Sequence, residues 1–451
     1  MPGKRYPETI STKRKQLAKI ARRFPEIGLV TVSKHMDLEW LLEAHRRTRK
    51  DGAVGVDGES AADYEVSLEE NLERLLARAK TRNQYRAPAV KRAHIPKGPG
   101  SETRPIGIPT FEDKILQRAV VMLLEPIFEQ DFLDCSYGFR PRRGPHDALQ
   151  ALWEKVTSMP NGAWVLEADI KGFFDAVDKS ELQRMFGERV RDGVIRRLIG
   201  KWLNAGVLED GCVYHPETGT PQGGVISPLL ANIYLHHVLD VWFEKEVRPR
   251  MRGECHLIRF ADDFVIIFER RVDADRVLDV LPKRFGKYNL HLHPEKTRLV
   301  RFTKPRGGAK PPGSDDDHPG SFELLGFRHF WGRSRKKKWV VKRKTASSRF
   351  SRTLQRLSAW MRANRHLPIE AQHRTLCRKL RGHDAYYGIT GNAPMLGKLR
   401  HEVERRWRKW LSSRSRKAKL NWEQMTTLLK RYPLAPPRVV HSVYRTRKPA
   451  T

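Results

Sequence analysis

Two adjacent carboxylates, Asp262 and Asp263, lie between the apolar runs Leu257-Ile258-Arg259-Phe260 and Phe264-Val265-Ile266-Ile267-Phe268, a pattern that reads as a β-hairpin with acids at its turn. Holding them there is costly, because like charges repel and lose solvation at the edge of a core. A divalent cation relieves the cost. Mg²⁺ takes carboxylate oxygens and keeps sites for phosphate, so a third carboxylate nearby would complete a two-metal site for in-line phosphoryl transfer. Asp169 is the candidate, at the end of the apolar run Trp164-Val165-Leu166-Glu167-Ala168. The Asp pair alone is a weak signal. Asp315-Asp316-Asp317 is a longer acidic run whose plain reading is solvation, and aspartates also cap turns.

Elements of both kinds must position these groups. Helical spacing runs from Asp37 to Arg49 and from Leu68 to Lys80, and a further helix is expected from Glu112 to about Phe128. His94-Ile95-Pro96-Lys97 and Arg104-Pro105-Ile106-Gly107-Ile108-Pro109 read as two strand ends around a Gly/Pro turn. Thr220-Pro221-Gln222-Gly223-Gly224 is a turn, and Ser227-Pro228 starts a helix as N-cap and first-turn proline. The loop from Asp51 to Gly58 is glycine-rich, but no Gly-Lys-Ser/Thr follows, so it is not a Walker phosphate cradle. Residues 304–320 read as a flexible insertion. After Phe322-Glu323-Leu324-Leu325-Gly326-Phe327 the pattern becomes helical, with Phe350, Leu354, Leu357 and Met361, then Val403, Trp407 and Leu411 on apolar faces.

Charge points to the partner. The 451 residues hold 87 Lys or Arg against 52 Asp or Glu, a net of +35, while 39% hydrophobic residues exclude wholesale disorder. Residues 331–451 contain 33 Lys or Arg and 5 Asp or Glu, a net of +28, which leaves +7 for the first 330 residues. Trp339, Trp360, Trp407, Trp410 and Trp422 are interleaved with those cations, so the basic region is expected to fold and to hold nucleic acid. No stretch reaches the roughly 18 apolar residues of a membrane span, so a soluble, intracellular protein is expected. Four widely spaced cysteines exclude a disulfide scaffold or a cysteine-rich zinc module.

The motifs, taken in order, resemble the reverse transcriptase and maturase proteins encoded by bacterial group II introns. They are Arg104-Pro105-Ile106-Gly107-Ile108-Pro109, Ser136-Tyr137-Gly138-Phe139-Arg140-Pro141, Ala168-Asp169-Ile170-Lys171-Gly172-Phe173-Phe174-Asp175, Pro221-Gln222-Gly223-Gly224, Phe260-Ala261-Asp262-Asp263, His293-Pro294-Glu295-Lys296-Thr297 and Leu324-Leu325-Gly326-Phe327. The segment from Leu380 to Gly388 resembles the family's maturase segment. The resemblance implies an α+β right-hand polymerase with an antiparallel palm sheet, an all-helical thumb and a basic helical C-terminal segment. Its expected domains are an N-terminal extension at 1–80, fingers and palm at 81–330, thumb at 331–400 and a nucleic-acid-binding segment at 401–451.

By the same resemblance Asp169 and Asp262 are the principal ligands of two Mg²⁺ ions, and Asp263 is the third catalytic aspartate. Lys97 and Arg104 bind the incoming deoxynucleoside triphosphate, Gln222 lies beside its sugar, and the Phe174 ring excludes a 2′-hydroxyl. Lys296 protonates the leaving pyrophosphate, although a salt bridge to Glu295 or another neighbour is an equal reading. Arg381, Arg405, Arg406, Arg408, Lys409, Arg414 and Arg416 are the expected nucleic-acid contacts. The implied partners are the group II intron RNA, target DNA and a primer, with the protein a monomer or homodimer in the bacterial cytoplasm or at the nucleoid. Phe260 replaces the family's usual tyrosine, keeping the ring and losing a hydroxyl. The chain also lacks the paired cysteines of the endonuclease domain found in many relatives, so an endonuclease-lacking type is expected. A reverse transcriptase used elsewhere, as in phage defence, and a non-catalytic RNA-binding splicing factor are the rival readings.

Overall fold

The structure is a computed structural model that describes residues 9–96, 103–159, 162–209, 211–215, 218–219, 223–305, 320–334, 336–414 and 419–442. In chain order its main elements begin with α1 (Ile10–Arg23), α2 (Leu38–Arg47), α3 (Ala61–Glu65), α4 (Leu68–Lys80), β1 (Val90–Pro96), β2 (Thr103–Ile108), α5 (Phe111–Phe128), α6 (Pro145–Ser158) and β3 (Ala163–Asp169). They continue with α7 (Phe173–Ala176), α8 (Lys179–Arg189), α9 (Gly193–Leu203), β4 (Val207–Glu209), β5 (Cys212–Tyr214), α10 (Ser227–Leu235), β6 (Cys255–Phe260), β7 (Asp263–Phe268), α11 (Arg271–Gly286) and β8 (Arg298–Phe302). The last are β9 (Phe322–Leu324), β10 (Phe327–Arg333), β11 (Trp339–Thr345), α12 (Ser347–Ala363), α13 (Ile369–Tyr387), α14 (Ala393–Ser412) and α15 (Trp422–Arg431). Two compact units result, Met1–Ala148 with Ala168–Arg298, and Leu149–Glu167 with Leu299–Thr451.

The first unit is built around α5. Ile115, Leu116, Ala119, Val120, Leu123, Leu124 and Ile127 are wholly buried, so the helix is apolar on more than one face, as a central core helix must be. Thr110 caps it, its hydroxyl accepting from the Asp113 backbone N–H at 3.2 Å. The helix α2 packs on it through Trp40, whose indole N–H donates to the Ala119 carbonyl at 2.9 Å. A four-stranded sheet of order β2-β1-β4-β5 pairs β1 with β2 antiparallel, from Lys91 opposite Ile108 to Pro96 opposite Thr103. The helix at Ser227 starts where expected, but Ser227 is its first helical residue rather than its cap. Ile226, already in the helical region, precedes it, and Pro228 supplies the fixed φ of the first turn. Past Leu235 the helix widens into a π turn at His236–Asp240, a feature frequent at functional sites.

In the second unit the helical pattern expected after Phe327 begins only at Ser347. Between them β10 and β11 pair antiparallel, Trp331 opposite Val341, with β9 on the other side of β10. The cations at 336–338, 342 and 344 hide a strand alternation in which Val341, Arg343 and Thr345 are buried and the residues between them are not. Helices α12 to α15 then share one core of Leu354, Leu357, Met361, Leu376, Leu380, Leu399, Val403, Trp407, Leu411 and Met425. The division expected between residues 400 and 401 therefore falls inside α14 and through this core. Of the insertion expected at 304–320, residues 306–319 lie outside the described residues. No helix among the described residues is long and apolar enough to cross a membrane.

Candidate active site

The hairpin of β6 and β7 closes on the pair Phe260 and Asp263, leaving Ala261 and Asp262 as a two-residue turn. Ala261 has φ +58°, the left-handed conformation that such tight hairpin turns demand and that a side chain resists. The turn is packed from one side by Gly138, where an added Cβ would stand 2.3 Å from the Ala261 nitrogen. The conformation of the acidic turn is therefore imposed by its surroundings.

Asp169 ends β3 in the same unit. The chain after α11 folds back onto it: Lys171 N–H donates to the His291 carbonyl at 2.9 Å, and His293 N–H donates to the Asp169 carbonyl at 2.7 Å. This return brings Lys296 across, its ammonium donating to Asp169 Oδ2 at 2.5 Å. Of the two readings for Lys296, an ion pair is present, and its partner is Asp169 rather than Glu295.

Asp262 lies within electrostatic reach of the Asp169 carboxylate. Burial pushes its carboxyl above the usual aspartate range, the Asp169 charge adds to that rise, and Arg104 and Arg259 pull it down. Arg104, exposed at the start of β2, is thus brought within electrostatic reach of the hairpin. Asp263 is half-buried at the first position of β7. Among the described residues no three His, Cys, Asp or Glu side chains stand close enough together to share one ion. The chemistry of these carboxylates nevertheless fits a hard divalent cation, which needs few carboxylates and completes its shell with water and phosphate oxygens.

Phe173 and Phe174 divide their work. Phe173 is buried against Tyr234, with ring centroids 6.4 Å apart, while Phe174 stays half-exposed with its ring edge-on to Phe173 at 5.3 Å. Core packing is accordingly the task of Phe173. Gly219, at φ +88°, lies on the Phe174 turn, where an added Cβ would come within 2.8 Å of the Phe174 carbonyl oxygen. Gly223, at φ +109°, lies against β2, 2.4 Å being left between an added Cβ and the Gly107 oxygen. These contacts hold Gly219 and Gly223 close to their neighbours. Lys97, Gln222 and Arg416 lie outside the described residues.

The second unit presents the expected cations, and they differ in what they do. Arg405, Arg406, Arg408 and Lys409 line a cleft of about 620 Å³ together with Lys419 and Trp422. Arg408 is committed to structure, stacking over the Trp422 ring at 4.4 Å and donating to the Leu420 carbonyl at 3.0 Å. Arg414 is committed too, donating to the Arg365 and Leu367 carbonyls at 2.6 and 2.5 Å beyond the end of α12. Lys409 lies over the Trp410 ring at 5.2 Å, Arg405 pairs with Glu402 at 3.1 Å, and Arg381 is exposed on α13.

Sequence reasoning missed a group of buried polar residues behind the turn: Ser136, Asn232, Asp240 and Arg259. The signal was present, since Arg259 interrupts an apolar strand and Asp240 lies beside Val238 and Leu239 on an otherwise apolar helix.

Paired carboxylates at a β-hairpin, approached by a basic finger strand and followed by a basic helical unit, define a template-directed nucleotide-polymerising class. The chain belongs to the reverse transcriptase (RNA-dependent DNA polymerase) family, whose model matches residues 95–329, and the group II intron maturase-specific domain matches residues 350–428. It is 33% identical over 299 residues to Protein YkfC of Escherichia coli strain K12, covering 58% of this chain and 76% of that protein. It is 40% identical over 193 residues to the group II intron-encoded protein LtrA of Lactococcus lactis subsp. cremoris, which covers 41% of this chain and 31% of LtrA. The Schizosaccharomyces pombe 91 kDa protein in the cob intron is 38% identical over 154 residues, 34% of this chain and 18% of that protein.

Proposed function

We propose that this protein is the RNA-directed DNA polymerase and maturase of a group II intron ribonucleoprotein, copying intron RNA into cDNA during mobility and assisting that RNA's splicing. The observation on which the reading rests is the buried Asp262 at a hairpin turn, its carboxyl raised by burial and by the Asp169 charge, within a matched reverse transcriptase region. Asp169 and Asp262, with Asp263 beside them, would hold two Mg²⁺ ions, whose chemistry is to activate the primer 3′-hydroxyl and stabilise the departing pyrophosphate.

The chain's own groups do the rest. Arg104 offers a guanidinium fork to the triphosphate, a role suited to bidentate phosphate contact, and Lys97 adds a point charge. Gln222 sits beside the sugar, while the half-exposed Phe174 ring excludes a 2′-hydroxyl and selects deoxynucleotides. Lys296 leaves Asp169 as the substrate arrives and gives its proton to the pyrophosphate. Arg381, Arg405, Arg406, Arg408, Lys409 and Arg414, with Arg416, contact nucleic acid, Arg408 while stacked on Trp422 and Arg414 while bonded to the Arg365 and Leu367 carbonyls. Intron RNA, target DNA and primer are the partners, and the particle works in the bacterial cytoplasm as a monomer or homodimer. We assign 1–80 to an N-terminal extension, 81–330 to fingers and palm, and the helices beyond to the thumb and its basic extension, which share one core.

Two assays on one preparation test this: primer extension on an RNA template with deoxynucleotides and Mg²⁺, and splicing of a candidate group II intron RNA with and without protein. Extension together with accelerated splicing supports the proposal. Extension without splicing assigns the polymerase to another role, and tight RNA binding without extension assigns a splicing factor. Binding should weaken with salt at a log–log slope of about −0.7 per single-stranded phosphate neutralised.

A further inference from the structure

Arg259, one residue before Phe260, has no exposed surface, and neither does its partner Asp240. Its guanidinium has five N–H groups, and five contacts are present. Nε donates to Asp240 Oδ1 at 2.7 Å and Nη2 to Asp240 Oδ2 at 2.5 Å, a bidentate pair. Nη2 also donates to Ser136 Oγ at 2.8 Å, and Nη1 to Asn232 Oδ1 and to the Ala261 carbonyl, both at 3.0 Å. The last contact falls on the peptide that joins Ala261 to Asp262.

The same groups hold the chain on the far side of the turn. Asn232 donates from Nδ2 to the Gly138 carbonyl at 2.7 Å, and Gly138 is the residue packed against the Ala261 nitrogen. Tyr137 N–H donates to the Arg259 carbonyl, and Arg259 N–H to the Cys135 carbonyl, each at 2.8 Å. One guanidinium therefore ties together α10, the π turn bearing Asp240, the segment from Cys135 to Gly138, and the acidic hairpin. A buried ion pair is a poor source of stability, because desolvation offsets its attraction, so its presence behind a strained turn calls for a role in geometry.

We propose that Arg259 is a positioning residue that locks Ala261 in its left-handed conformation and thereby fixes Asp262 at the hairpin turn; this rests on the polymerase reading above. Lysine cannot replace it, since three donors on one nitrogen cannot span Asp240, Asn232, Ser136 and Ala261 at once. Ala261→Gly should relieve the need, because glycine adopts a positive φ without steric cost.

The experiment compares the full-length wild type, Arg259→Lys, Ala261→Gly and the double variant. Primer extension on RNA gives kcat and KM for deoxynucleotide, and hydrogen exchange is measured at the 260–263 turn. Arg259→Lys is expected to lower kcat by about 10- to 100-fold, in the range seen when one preorganising group is lost, with KM and primer–template affinity unchanged. Exchange at the turn should quicken, and adding Ala261→Gly should recover several-fold in kcat. An Arg259→Lys protein with wild-type kcat and turn exchange overturns the proposal, as does a loss that Ala261→Gly leaves untouched. If Arg259→Lys fails to fold, Ser136→Ala removes one acceptor from the same guanidinium and should show the same, smaller changes. A wild type that does not extend refutes the polymerase reading instead, and the exchange data still decide the role of Arg259.

Discussion

The ammonium of Lys296 lies 2.5 Å from Oδ2 of Asp169, so the carboxylate expected to hold metal is neutralised by a lysine of the same unit. Lys296 is more than half exposed and Asp169 is partly so, which leaves the pair free to exchange partners.

Lys296→Met therefore separates two roles. The half-saturating Mg²⁺ concentration should fall several-fold, because the cation no longer competes with an ammonium, and kcat should fall about 100-fold if the proton to pyrophosphate comes from Lys296. Steady-state extension across a Mg²⁺ titration checks both. An unchanged kcat would leave Lys296 with the electrostatic role alone.

Phe174→Ala should admit ribonucleotides, because the half-exposed ring is what a 2′-hydroxyl would meet, while Phe173 keeps the packing against Tyr234. The ratio of incorporation of deoxy- to ribonucleotides, measured on one primed RNA, should fall by at least about tenfold, the scale of a pocket contact worth 1 to 3 kcal/mol. Unchanged sugar selectivity would refute the gate.

The glycine ending the maturase segment has a mechanical task. An added Cβ at Gly388 would stand 2.3 Å from the Asp384 oxygen and 2.4 Å from the Arg438 oxygen. The Gly388 carbonyl also accepts from the N–H groups of Val440 and His441, each at 2.8 Å, so the chain past Pro436 is strapped to the end of α13. Gly388→Ala should destabilise this unit by about 1 to 3 kcal/mol and make the segment near residue 440 an early site of proteolysis. Limited digestion of the wild type and variant reads the change directly.

Legibility in the sequence followed periodicity and failed where chemistry was buried. The hairpin around Asp262 could be read because two apolar runs flank it, and the helix from Leu68 to Lys80 because its leucines recur at helical spacing; the helix range matches the structure, while the strands extend to Cys255 and take in Asp263. The strands β10 and β11 could not, since their exposed positions are cationic and merge with the basic region that follows. At the site, the motifs named Asp169, Asp262, Phe174 and Arg104 as candidates, but whether Lys296 pairs with Glu295 or Asp169 depends on a return of the chain that no spacing reveals. The Arg259 network eluded the reading for a similar reason. Its partners Ser136, Asn232 and Asp240 are scattered along the chain and meet only after folding.

Acid should weaken the first unit through His236. Burial beside Phe132, with ring centroids 5.5 Å apart, lowers its pKa from 6.5 to about 4. The unfolded chain takes up the proton first, so this stability is whole above about pH 6.5 and is lost as pH falls toward 4. Between pH 7 and 5 the loss should be about 2 kcal/mol, and His236→Leu should remove that part of the pH dependence. Chemical unfolding of both proteins at the two pH values measures the difference.

The most direct test of the account is DNA synthesis on an RNA template with an annealed DNA primer, deoxynucleotides and Mg²⁺, comparing the wild type with an Asp262→Ala, Asp263→Ala double variant. The account predicts extension by the wild type and a loss of at least about a thousandfold in the variant, with RNA binding retained, since removal of a single preorganised group already costs 10² to 10³. Equal extension by both proteins would contradict it, and so would tight RNA binding with extension by neither.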